Sequence, residues 1–393
     1  MTAPRLLIAV THPVTARVFL HGQLGFFARQ GWEVGLVTSP GPDLDAVRER
    51  EPAAVFEVPM AREIAPLADL RALAGMRRAI AAFRPDLVAA GTPKAGLLGM
   101  LAARRAGVPA RLYTVRGLRL ETATGARRRL LTAAECCADG AAHRVVCVSA
   151  SLRRRYLELG LGSAGKTVVL GAGSSNGVDA ERFRPRPAGD PETVRLRERL
   201  GLPGGVPVIG FVGRFTRDKG IADLVSAFLG AISVRHPEAH LLLVGDFEAG
   251  DPVPEPVREA MTSHPRVVRA GFVADTAAYY PLIDVLALPS YREGFPNAPL
   301  EAAASALPVV GYAATGTVDA VADGETGTLV PVGDSAALGA ALLRYLDDPD
   351  LARDHGAAGR SRVERLFRRE LVWELWEEEF RRLLDERRGA RGS

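Results

Sequence analysis

Short apolar runs alternate with longer amphipathic stretches along almost the whole chain. Residues 6–10, 34–38, 87–90, 111–115, 145–148 and 167–170 predict strands, with helical periodicity between them. The pattern restarts at 206–212 and continues through 239–244, 266–269, 285–288 and 307–311. Runs that are apolar on both faces and alternate with helices predict parallel sheets covered on each side. The expected fold class is α/β, with two doubly wound domains facing each other across a cleft.

The boundary is marked by chain-turning residues. Asn176-Gly177-Val178-Asp179 supplies a turn, and the proline-rich 184–191 can continue neither helix nor sheet, which places a hinge between about 171 and 205. The expected domains are 1–175 and 176–365, followed by a tail helix over 366–393 that packs back toward the N-terminal domain. Helical periodicity over 362–388 puts Leu366, Trp373, Trp376, Phe380 and Leu383 near one stripe, most simply a packing face.

Composition narrows the classes. The 393 residues exceed the roughly 250–300 at which one core stops growing, and 47% hydrophobic with 24% charged residues excludes disorder for most of the chain. Three cysteines (Cys136, Cys137, Cys147) form neither a disulfide framework nor a paired zinc spacing. No apolar run reaches the roughly 18 residues of a membrane span, and the strand-like 6–10 follows Pro4 without signal-peptide anatomy, so a cytoplasmic location is expected. Charge is divided: residues 1–180 carry 24 basic and 14 acidic side chains, net +10, and the remainder 26 and 32, net −6. The basic half suits an anionic lipid, a pyrophosphate or a nucleic acid. With only Lys94, Lys166 and Lys219 as lysines, a coding preference for arginine explains the same runs.

Several motifs fail on context. Gly160 to Thr167 matches G-x-x-x-x-G-K-[ST], but a helix precedes it and a strand follows, the reverse of a phosphate-cradling loop. The run 171–176 lacks the third glycine of a dinucleotide fingerprint. His236 and His240 are four apart, but Pro237 lies between them, so no metal site is expected. There is no G-x-S-x-G elbow.

Two segments do carry chemistry. In Gly210-Phe-Val-Gly213-Arg214-Phe-Thr-Arg-Asp-Lys219-Gly220 a buried strand ends in a glycine turn that leads into a helix. Gly213 lets a ligand approach the backbone, and Arg214 and Lys219 can converge on one anionic group. The plainer alternative is two solvated cations. In Arg292-Glu293-Gly294-Phe295-Pro296-Asn297-Ala298-Pro299-Leu300-Glu301 two carboxylates bracket a helix start, with Asn297 as the expected N-cap and the amides of Ala298, Leu300 and Glu301 open to an anion. Glutamates that merely favour the helix dipole are the alternative.

Together with Pro308 to Gly311 and the stretch Asp323 to Pro331, these segments stand in the order shown by the retaining, nucleotide-sugar-dependent glycosyltransferases of family 4, which the chain resembles over nearly its whole length. Thr92 to Gly96, Tyr113 to Gly117 and Gly173 to Asp179 are similar to the branch that builds capsule, exopolysaccharide and lipid-linked glycans. The resemblance implies two Rossmann-like domains of GT-B architecture, an N-terminal one for the acceptor and a C-terminal one for the donor. It implies that Arg214 and Lys219 hold the donor diphosphate, that Glu301 accepts from the ribose, and that Glu293 holds the transferred sugar. Gly213 and the Leu300 amide would approach the phosphates, with Phe295, Pro296 and Asn297 lining the sugar and Thr315 and Gly316 closing the pocket. On the acceptor side stand His12, Lys94 and Arg116; the family often has histidine at the Arg116 position.

The implied reaction transfers a hexose or N-acetylhexosamine from a nucleotide diphosphate sugar, UDP first among the candidates, to a glycan, lipid-linked or natural-product hydroxyl. The implied partners are that donor, that acceptor and a peripheral contact with the inner face of the membrane through the basic half, with no nucleic acid, resident cofactor or catalytic metal. A non-transferring nucleotide-sugar-binding subunit and a nucleotide-sugar epimerase are the alternatives.

Overall fold

The computed structural model describes residues 3–61, 63, 65–187 and 189–392. They divide into two compact units: unit 1 runs to Asn176 and takes up the chain again from Glu370, and unit 2 spans Gly177–Arg369.

Unit 1 is built on seven parallel strands: β1 (Arg5–Ala9), β2 (Glu33–Thr38), β3 (Ala54–Glu57), β4 (Leu87–Gly91), β5 (Ala110–Val115), β6 (Arg144–Cys147) and β7 (Thr167–Val168). Their order across the sheet is β3-β2-β1-β4-β5-β6-β7. Unit 2 has six: β8 (Val208–Val212), β9 (His240–Val244), β10 (Val267–Gly271), β11 (Val285–Leu288), β12 (Val309–Tyr312) and β13 (Gly327–Val330), ordered β10-β9-β8-β11-β12-β13. Both are doubly wound, Rossmann-like sheets. Strands rich in Val and Leu and buried on both faces, such as β9 and β11, lie inside them under the flanking helices. The apolar periodicity located eleven of the strands. It gave no sign of β3, an edge strand with exposed ends, or of β13, which is four residues long.

The tail differs from its expected form in one respect. The helix is interrupted at Phe367 and Arg368, where Val178 N donates to Phe367 O (2.8 Å) and Arg369 N to Val178 O (3.0 Å). Leu366 therefore ends the helix Pro349–Leu366 and does not belong to the stripe. The final helix, Arg369–Gly392, buries Val372, Trp373, Trp376, Phe380, Leu383 and Leu384 in the core of unit 1, against Phe26, Phe27 and Trp32. Arg144 ties it down with ion pairs to Glu379 and Glu386, both at 2.8 Å. Among the described residues no helix is long and apolar enough to cross a membrane.

Candidate active site

In unit 2 the winding of the sheet reverses between β8 and β11, the position at which α/β sheets bind ligands beyond their strand ends. The loops leaving those two strands, 213–220 and 289–296, are the two segments singled out above.

The first loop is anchored by Phe215, fully buried against Phe211 and Phe247, and by hydrogen bonds from Gly213 N to Val244 O (2.9 Å) and Phe215 N to Asp246 O (2.8 Å). Arg214, between these anchors, is left exposed and pairs with Glu248. A 3-10 turn, Arg217–Lys219, closes on Gly220 at φ 65°, where an added Cβ would also collide with the Pro289 carbonyl oxygen. That contact and the hydrogen bond from Tyr291 N to Asp218 O (2.9 Å) fasten the first loop to the second.

Across this junction Lys219 Nζ meets Glu293 Oε1, with the two side chains only 20% and 11% exposed. Arg292 Nη2 donates to Asp218 Oδ2 (2.6 Å), and the Thr216 hydroxyl donates to Oδ1 (2.7 Å). Burial raises the Asp218 pKa, but the Thr216 hydrogen bond and the charges of Arg292, Lys219 and Arg214 outweigh it and hold the carboxyl below its ordinary value. Glu293 N donates to Thr315 O (3.0 Å), and Gly316, at φ 79°, presses against the Gly294 carbonyl, so Thr315 and Gly316 adjoin Glu293.

The helix Asn297–Ala304 begins one residue earlier than expected. Pro296 occupies the N-cap position and no side chain caps the helix, so Asn297 is its first residue and not its cap. Pro299 has no N–H to satisfy in this first turn, and Leu300 is buried. The Phe295 ring is also buried, 5.3 Å from the Phe367 ring. Glu301 accepts from the Tyr280 hydroxyl (2.6 Å) and the Thr276 hydroxyl (3.3 Å). Burial raises its pKa against those two hydrogen bonds. Sequence reasoning overlooked Glu248, Asp218, Arg292 and Tyr280 as partners. The first of them follows β9, the strand beside β8, and that position was the available clue.

The three acceptor-side candidates lie in unit 1. His12 is exposed at the start of the helix Pro13–Phe19. Lys94 Nζ is occupied by Asp69 (2.6 Å) and the Glu63 carbonyl (2.7 Å). Arg116 follows β5, and burial lowers its pKa to about 10. Nearby, Thr11 and Thr92 share a 2.7 Å hydrogen bond that joins the ends of β1 and β4.

Comparison with known proteins bears on the whole chain. The family "Glycosyl transferases group 1" matches residues 206–348, and "Glycosyl transferase 4-like domain" matches 16–173. The chain is 34% identical over 371 residues to the capsular polysaccharide biosynthesis glycosyltransferase CapM of Staphylococcus aureus, covering 94% of this chain and 95% of that protein. A 2-deoxystreptamine N-acetyl-D-glucosaminyltransferase of Streptomyces fradiae is 36% identical over 184 residues, 44% of this chain and 42% of that one. Among solved structures, sucrose-phosphate synthase of Thermosynechococcus elongatus superimposes with a TM-score of 0.79 at 24% identity, covering 98% and 100% of the two chains. HepE of Anabaena, solved with UDP-glucose, gives 0.78 at 21%, covering 96% and 98%. With both halves matched and the CapM likeness running almost end to end, the chain belongs to the family 4-type glycosyltransferases and is built from the Rossmann-like domains of the GT-B fold.

Proposed function

We propose that the protein is a retaining glycosyltransferase of cell-surface glycan assembly that moves a hexose or N-acetylhexosamine from a UDP-sugar to an acceptor hydroxyl. The observation that carries this reading is the meeting of Lys219 and Glu293 where the β8 and β11 loops are fastened together. HepE, which shares the fold, is known with UDP-glucose, and CapM acts in capsular polysaccharide biosynthesis.

In this reading Arg214 and Lys219 hold the diphosphate, helped by the main chain at Gly213 and the first turn of the helix Asn297–Ala304. Lys219 has three N–H donors and can keep Glu293 while it takes a phosphate oxygen. Glu293, held at that ammonium, turns a carboxylate oxygen to the sugar hydroxyls, and Glu301 serves the ribose. The bond from the anomeric carbon to the β-phosphate oxygen breaks, and the acceptor oxygen bonds to the same face. The acceptor proton passes to the departing phosphate, and the nucleoside diphosphate leaves. Charge growing on the leaving group is met by cations already in place, so the reaction is proposed to need no metal.

A lipid-linked acceptor is favoured by exposed leucines of unit 1, Leu67, Leu70 and Leu130 at 74%, 65% and 50%, the last preceded in sequence by Arg127, Arg128 and Arg129.

The test incubates the full chain with a panel of nucleotide sugars, with and without a lipid-linked or soluble acceptor, and separates the products. Release of UDP that accelerates with acceptor and persists in EDTA is expected. A sugar converted to its epimer without acceptor, or binding with no release at all, overturns the transferase reading. Binding to anionic liposomes at low salt separates a lipid acceptor from a soluble one.

A further inference from the structure

Unit 1 has its own winding reversal, between β1 and β4, and a narrow crevice lies beside it. Its walls include Gln23, Thr114, Arg116, Ser175 and Trp376. Gln23 and Trp376 are each only 4% exposed, and the indole Nε1 of Trp376 is sealed from solvent without a hydrogen-bond partner. The same holds for Nε of Arg116. Burial pulls the guanidinium below its ordinary pKa. Space is made for it by Gly91, where a Cβ would come within 2.9 Å of that Nε.

Two sealed donors on residues that line one crevice, neither of them bonded to the neutral oxygens that Gln23, Thr114 and Ser175 bring to it, are uncommon in a folded protein, because each costs its lost hydration. The crevice has no carboxylate in its lining, and its enclosed part admits only a water-sized group. A whole sugar ring is too large for that space, whereas a single oxygen of a terminal anion is of the size it admits.

We propose that this crevice is a subsite for an anionic group, the phosphate or carboxylate of a charged acceptor, held by Arg116 and Trp376. The proposal rests on unit 1 being the acceptor half. It adds that the acceptor carries negative charge close to the receiving hydroxyl.

The test titrates the full chain, with its donor site saturated by UDP, with glucose 6-phosphate, glucuronate and glucose, following tryptophan fluorescence and melting temperature. Saturable binding of one or both anions, and none of glucose, is expected. The Arg116→Gln variant should weaken it at least tenfold. Trp376→Phe, which keeps the ring and loses the N–H, should weaken it several-fold, with UDP affinity unchanged in both. Glucose 6-phosphate binding alone identifies a phosphate, and glucuronate binding alone a carboxylate. Equal binding of glucose, no binding of either anion, or full binding by Arg116→Gln overturns the proposal and leaves water as the occupant. Loss of UDP binding by the wild-type chain would instead contradict the donor reading.

Discussion

In unit 2 the cations Arg214, Lys219 and Arg292 are paired with Glu248, Glu293 and Asp218, whereas in unit 1 Arg116 lines a crevice with no carboxylate among its described lining residues. Both places lie at the winding reversal of a parallel sheet, so the contrast lies in charge and not in topology. A paired cation is oriented by its partner and costs little while the site is empty. An unpaired and half-buried one lowers stability to the extent that it is cut off from water. The cations of unit 2 are thus arranged in advance by the chain itself, whereas the guanidinium of Arg116 in unit 1 is not.

The largest expected effect falls on the paired side. Lys219→Ala should lower turnover at saturating donor by about 100- to 1000-fold, the usual loss for one preorganised donor to developing charge. It should also lower the melting temperature, because Glu293 is left partly buried without its cation. Wild-type turnover in this variant would remove the catalytic meaning of the pairing.

A second effect sharpens the contrast within unit 1. Glu135 is a buried carboxylate with no cation partner among the described residues. Its pKa is pushed up to about 7 by burial, opposed by the Tyr113 hydrogen bond (2.7 Å) and assisted by the charge of Asp139. The folded state therefore keeps a proton between about pH 4.5 and 7 that the unfolded chain releases. The associated stability is present at low pH and is lost as pH rises through that window. Glu135→Gln should flatten that part of the stability curve, by on the order of 3 kcal/mol across it; an unchanged slope in urea melts between pH 5 and 7.5 would contradict this origin.

Arg116→Gln should behave in the opposite sense to Lys219→Ala. Without ligand it relieves a half-buried charge whose Nε is unsatisfied, so the melting temperature should rise by about 2–5 °C. A fall in calorimetry would mean that the guanidinium is already satisfied. The smallest effect belongs to Tyr291→Phe. Asp223 Oδ2 accepts from both Tyr291 (2.7 Å) and Tyr312 (2.8 Å), so one phenol remains, and a loss of about 1 kcal/mol is expected with turnover changed less than tenfold.

Much of this molecule could be read from its amino acids because the informative signals are local. A buried strand followed by glycine and two cations placed the β8 loop, and a proline-rich helix start placed the β11 loop. Partner choice is not local. Glu248 is 34 positions from Arg214 and Glu293 is 74 from Lys219, so no window of sequence reveals that each cation meets a carboxylate. The Asn297 cap failed because Pro296 already occupies the capping position, and Leu366 left its stripe because the chain around Phe367 is drawn into pairing with Val178. Arg116 was visible as a candidate, but its isolation depends on Gly91 and Trp376, which only folding brings to it.

The bridge between Val178 and Arg368 has a practical reach of its own. The chain enters and leaves unit 2 at neighbouring points, with Gly177 packed directly against the Arg369 backbone and Asp179 paired to Arg369 at 2.7 Å. Unit 2 is in effect a cassette inserted into unit 1, with both borders stitched together. A gene fragment for residues 177–369 keeps that stitch, and a short glycine linker from Asn176 to Glu370 would rejoin the host, so each half can be exchanged between relatives without cutting a core.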